Sequence, residues 1–133
     1  KVKQAIKIFD YIHSVDSIKL AQKISNEQKN LNKEVQIFIQ VNLANEAQKS
    51  GVKPDELSDL LEFCKLSSLS VLGLMCLPPF DEDSDKYFYD LKSLNDKFNL
   101  KDLSMGMSHD YLNALKYKST FLRIGSKIFG NRN

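Results

Sequence analysis

The stretch LSMGMSHDYLNAL, Leu103 to Leu115, changes character halfway along. An apolar run breaks at Gly106, which sits between two methionines. A polar Ser108-His109-Asp110 triplet follows, and then apolar residues return at helical spacing. A strand that passes into a helix without a tight hairpin turn is the unit from which parallel sheets are assembled. Whether the rest of the chain repeats this unit decides the fold.

Working outward, it does. Leu100–Met105 reads as a strand and Asp110–Lys118 as a helix. Upstream, Leu69–Leu77 is a strand followed by a helix over Asp83–Phe98 that carries Tyr87, Phe88, Leu91 and Leu94. Val35–Leu43 (VQIFIQVNL) is rich in β-branched residues and is the strongest strand signal. Pro54 opens the next helix at its first turn, with Leu57, Leu60, Leu61 and Cys64 on its buried side. Tyr11–Val15 is a shorter strand, and Asp16 or Ser17 caps a helix with Ile18, Leu20, Ala21 and Ile24 inward. Val2, Ala5, Ile6 and Phe9 fit the end of a preceding helix, and Thr120–Ile124 is the last strand. Five strand–helix units in this order imply parallel strands joined by right-handed crossovers, an α/β fold. Five strands suit a doubly wound open sheet, or five units of an eight-unit (β/α)8 TIM-type barrel; the pattern leaves both open.

At 133 residues the chain has the size of a single domain, 1–133, able to bury a core. A net charge of +2 with interleaved lysines and acids gives no basic patch, so no nucleic-acid partner is expected. The longest apolar run, VLGLMCLPPF, is too short to span a bilayer and no signal core opens the chain, so no membrane partner is expected. Cys64 and Cys76 sit in apolar surroundings without metal-ligand spacing and read as buried free thiols of a cytoplasmic protein.

Parallel α/β proteins bind ligands at the carboxyl ends of their strands. Here those ends are Asn42 with the loop behind it, Met75–Pro79, Met105–Asp110 and Arg123–Ser126. Gly106-Met107-Ser108 and Gly125-Ser126 each set a glycine and a serine at a strand-to-helix junction. Glycine permits close backbone approach, the helix start offers free N–H groups, and serine adds a hydroxyl: an anion cup suited to phosphate. The competing reading of Ser108 is a plain helix cap. Neither a dinucleotide glycine fingerprint nor a phosphate-loop lysine is present, so a nucleotide is not favoured. Arg123, at the tip of an apolar strand, can only donate hydrogen bonds; the alternative is a structural ion pair. His13 reads as a satisfied core histidine, and Lys49 as a loop lysine on the ligand face.

Taken together, HSVD (13–16), QVNLANEAQKSG (40–51), GLMCLPP (73–79), LSMGMSHD (103–110) and RIGSKIFG (123–130) resemble the YggS/PROSC family of pyridoxal phosphate homeostasis proteins. The resemblance covers nearly the whole chain and implies a barrel of the alanine-racemase N-terminal type, present here as about five βα units. It implies pyridoxal 5′-phosphate as the small-molecule cofactor. Met107 and Ser108 would hold its phosphate, Gly125 and Ser126 would complete the cup, and Arg123 would approach the pyridine nitrogen. The family usually has threonine where Ser126 stands, so a methyl contact is lost and the donor kept. Lys49 is expected to make a secondary contact only.

The family's covalent anchor lysine belongs to the first barrel strand, which none of these blocks matches. Three of eight units, roughly 80 residues at typical barrel length, are therefore expected to be lacking at the N-terminal side. Such a chain is expected to self-associate or to pair with the missing segment. An arginine donor keeps the ring nitrogen unprotonated and a poor electron sink, which suits a binding protein for vitamin B6 homeostasis. The rival is a pyridoxal phosphate-dependent racemase or decarboxylase of the same barrel type.

Overall fold

The computed structural model describes residues 1–46 and 50–123. Its elements alternate as α1 (Val2–Ile8), β1 (Tyr11–Val15), α2 (Ile18–Leu31), β2 (Gln36–Gln40), a short 3₁₀ turn (Pro54–Glu56) running into α3 (Leu57–Leu66), β3 (Ser70–Met75), α4 (Asp85–Lys97), β4 (Asp102–Met107), α5 (Tyr111–Lys116) and β5 (Phe121–Arg123). Among the expected residues, Lys49, Ile124, Gly125 and Ser126 lie outside the described ones.

All five strands are parallel and lie side by side in chain order, β1-β2-β3-β4-β5. A doubly wound sheet reverses its order at a switch point; a barrel wall does not. Sequential order therefore decides between the two architectures that the pattern left open. One continuous core joins Ile6 of α1, Ala21 and Ile24 of α2, Leu57, Leu60 and Cys64 of α3, Phe88 and Leu91 of α4 and Ala114 of α5. These meet Ile37, Ile39, Leu74, Leu103 and Met105 of the sheet. All the helices thus cover the same face, and the arrangement is a half-barrel. Each large side chain fully buried there contributes about 1.5–3 kcal/mol of transfer free energy.

Local signals behave as the sequence suggests at most places. Ser17 caps α2 by accepting a hydrogen bond from Leu20 N at 3.1 Å. Pro54 stands at the first turn of its helix. Two residues expected in the core are outside it: Phe9 is 56% and Ile18 47% exposed. Each sits at or just beyond a helix terminus, where no neighbouring element covers it.

β4 corrects the reading of the opening stretch. The strand runs on through Gly106 to Met107 instead of ending at Met105. Its pairing with β5 slips between Ser104 and Met107, so β4 carries an extra residue there. Gly106 has φ of 103°, a conformation that side chains resist, and bulges of this kind favour it. A Cβ at this position would lie 2.7 Å from Ala114 Cβ and 2.9 Å from Leu122 Cδ2. In this structure the glycine lets α5 and β5 close on β4.

Candidate functional site

Strand geometry assembles the site at the carboxyl end of β3, β4 and β5. Met107 and Arg123 are register partners, so Ser108 leaves the sheet directly beside the arginine. The Arg123 guanidinium reaches across both strands, and Nη2 donates to the Cys76 carbonyl just past β3, at 3.4 Å. Its Nε is buried without an acceptor, and no carboxylate of the described residues ion-pairs with it. A buried donor without a partner is costly, which makes Nε a place where a ligand acceptor would be favoured. Burial lowers the proton affinity of Arg123, opposed by the Cys76 thiol and the Asp110 carboxylate. A guanidinium withstands such a shift and stays charged.

Ser108 lies in the turn 108–110 between β4 and α5, half-buried. The cap of α5 is Asp110, not Ser108, so the plain-cap reading of that serine falls away. Asp110 makes no side-chain bond to its own helix. Its Oδ1 turns back and accepts from Met107 N at 2.7 Å, while Oδ2 lies 3.4 Å from His109 Nε2. The His109 ring packs against Phe80 with centroids 4.6 Å apart.

Beneath this rim, the face of the sheet turned away from the helices carries a second layer. His13 stacks on Phe38 at 4.6 Å and meets the edge of Phe121 at 5.5 Å. Its Nδ1 is hydrogen-bonded to Ser104 Oγ at 2.7 Å, joining β1 to β4 across the concave side. Strand side chains alternate, so Arg123, two residues after Phe121, stands one layer above this cluster. Burial, and then the Arg123 charge, pull the His13 imidazole below its ordinary value. His13 is therefore a satisfied histidine, as expected, but it belongs to the concave face and not to the helix-side core.

The loop after β2 is tied down at both ends. Asn42 Nδ2 donates to the Glu46 carbonyl at 2.7 Å, and Asn42 Oδ1 accepts from Glu46 N at 3.2 Å. Gly51 N donates to Asp16 Oδ2 at 3.0 Å, linking the loop to the end of β1. Asp16 thus serves the loop, while Ser17 alone caps α2.

Met107, Ser108 and Arg123 are brought together; Lys49, Gly125 and Ser126 lie outside the described residues. Asp110, Ser104, Phe38 and Phe121 were not among the site residues that the sequence suggested. Asp110 had one usable signal, its position three residues after Met107 in a turn, where Asp commonly bonds to backbone. Ser104 had none, since its partner is 91 residues distant. Both cysteines are free and buried. Among the described residues no helix is long and apolar enough to cross a membrane.

A half-barrel with a donor-only arginine and a serine turn at its carboxyl rim belongs to a recognisable class. The alanine racemase N-terminal domain matches residues 1–133, and the chain belongs to that family. Within it, the chain is 38% identical to the pyridoxal phosphate homeostasis protein of Aquifex aeolicus, over 99% of this chain and 62% of the relative. It is 35% identical to the bovine protein of the same name, over 96% of this chain and 53% of that one. The structure of PipY from Synechococcus elongatus with PLP bound superposes with a TM-score of 0.88 at 28% identity, over 98% of this chain and 65% of that one. An alanine racemase of Clostridium difficile, at 19% identity and a TM-score of 0.69, shares the fold. The chain spans about six-tenths of the length of the first of these relatives.

Proposed function

We propose that this chain contributes the phosphate-and-nitrogen side of a pyridoxal 5′-phosphate site, in a cytoplasmic protein that takes part in vitamin B6 homeostasis. The observation that carries the reading is the buried, acceptor-less Nε of Arg123 beside the Ser108 turn. That pairing offers a donor to a neutral ring nitrogen and a hydroxyl to a phosphate. Ser108 holds the phosphate, and Met107 contributes by shaping the same turn, its own amide being bonded to Asp110 Oδ1. Gly125 and Ser126 complete the cup, and Lys49 makes a secondary contact from the β2 loop. When bound, the cofactor supplies a reactive aldehyde on an aromatic ring; the protein supplies binding and orientation. An arginine opposite the ring nitrogen withholds the proton that strong carbanion stabilisation requires, which supports a binding role over a racemase or decarboxylase. PipY with PLP bound, on the same fold, supports the choice of ligand.

β1 and β5 each have one unpaired side among the described residues, and unpaired strand edges recruit further strands. The isolated chain is therefore expected to self-associate or to pair with a segment that completes the barrel. Sedimentation of the chain as a stable monomer with a cooperative melt would contradict this.

The binding test is a titration of the purified chain with pyridoxal 5′-phosphate, followed by ligand absorbance. Binding is expected to be non-covalent, reversed by inorganic phosphate, and lost in the double variant Ser108→Ala/Arg123→Ala. Equal affinity in that variant would remove the site assignment.

A further inference from the structure

We infer that Asp110 is the positioning residue of the phosphate turn, setting its affinity through a backbone hydrogen bond without touching the ligand. The inference rests on the pyridoxal phosphate reading above and deepens it.

The geometry is unusual for a residue at the start of a helix. Such an aspartate normally turns its carboxylate onto the amides of the first helical turn. Asp110 does not, and instead reaches backward to Met107 N at 2.7 Å. The Asp110 N–H meanwhile donates to the Met107 carbonyl at 3.1 Å. Met107 and Asp110 are thereby locked to each other by two bonds, with Ser108 and His109 held between them. Asp110 is only 8% exposed, so water does not replace its carboxylate readily.

Two consequences follow. The Met107 amide is committed to Asp110, so a phosphate is left with Ser108 and the donors around it. A buried anion also stands behind the turn and favours the charged form of Arg123. A guanidinium keeps its charge without that help, so the ring-nitrogen contact does not depend on it. Asp110 acts on the phosphate only through the shape of the turn. Its influence should therefore appear with phosphate-bearing ligands and vanish with phosphate-free ones.

The experiment compares the parent protein with Asp110→Ala and Asp110→Asn, titrated with pyridoxal 5′-phosphate and, separately, with pyridoxal. Asn keeps an acceptor for the Met107 amide, whereas Ala removes it. Asp110→Ala is expected to weaken the phosphate ester about tenfold or more, in line with loss of a hydrogen bond to a charged group. It should leave pyridoxal within about twofold, and Asp110→Asn should weaken the ester no more than about threefold. Hydrogen exchange at the Met107 amide supplies a ligand-free reading: protected in the parent and in Asp110→Asn, fast in Asp110→Ala. Unchanged or tighter ester binding by Asp110→Ala, or equal weakening of both ligands, overturns the inference. So does an unaltered Met107 exchange rate. Failure of the parent to bind the ester at all would instead strike the functional reading, and the exchange measurement would still decide the role of Asp110.

Discussion

The two faces of the sheet are made from the same strands yet follow different rules. The helix-side face is hydrocarbon: Ile37, Ile39, Leu74, Leu103 and Met105 meet Ile6, Ile24, Leu60, Phe88 and Leu91 in one cluster. The concave face mixes aromatic rings with polar groups that answer one another over long sequence distances. His13 pairs with Ser104, and Arg123 with the Cys76 carbonyl. The first face is held by area removed from water, which tolerates approximate partners. The second is held by directed bonds, and among the described residues it leaves one buried donor, Arg123 Nε, unanswered. Stability is concentrated on one side of the wall and binding potential on the other.

That contrast predicts a graded set of responses. The largest should come from Phe88→Ala, which empties the centre of the helix-side cluster at a fully buried position. A loss of about 3–5 kcal/mol is expected in urea unfolding; a cost below 1 kcal/mol would mean the helices are not what closes this face. Gly106→Ala should follow, at about 1–3 kcal/mol from the left-handed backbone conformation, before the close contacts to Ala114 and Leu122 are counted.

Ser104→Ala probes the concave side and should cost about 1 kcal/mol, the net worth of one hydrogen bond. The same change should alter the titration of His13 by nuclear magnetic resonance. If it destabilised as much as Phe88→Ala, the division between the two faces would collapse.

The thiols sharpen the comparison without altering the fold. Burial pushes Cys76 up to about 12 and Cys64 up to about 11, so neither presents a thiolate near neutrality. Both should resist a disulfide reagent at pH 8 in the native protein and react on unfolding. Fast reaction of either in the folded state would show that its side of the wall opens.

The gentlest effect concerns His13. Its folded value lies below the ordinary 6.5, through burial first and Arg123 second. The unfolded chain therefore takes up the proton more readily. Stability from this group is complete above about pH 6.5 and declines as the pH falls through the folded value. A His13→Gln variant should flatten that part of the stability profile; a slope unchanged by the substitution would show that other groups titrate there.

Much of this architecture could be read from the chain. Val35–Leu43, Leu69–Leu77 and the strand after Leu100 announce themselves by apolar and β-branched content. The absence of hairpin turns makes them parallel. Ser17, Pro54 and the 57, 60, 64 spacing mark helix starts and faces by strictly local rules. Candidate residues were legible where a motif carried them: Met107, Ser108 and Arg123 all stand at strand ends. Asp110 was missed because local rules assign such an aspartate to its own helix, whereas this one turns back to Met107.

The sequence by itself determined the element order, the parallel sense of the strands and most of the helix residues that turn inward. All of these follow from periodicity and short-range sterics within a few residues. The family resemblance implied a barrel, but only the tertiary structure showed the strands in chain order as its wall, and that His13 answers Ser104. The same holds for Gly106, which serves the packing of Ala114 and Leu122. Each of those facts joins residues far apart in the chain or depends on how one layer seats on another, and no local pattern encodes such a distance.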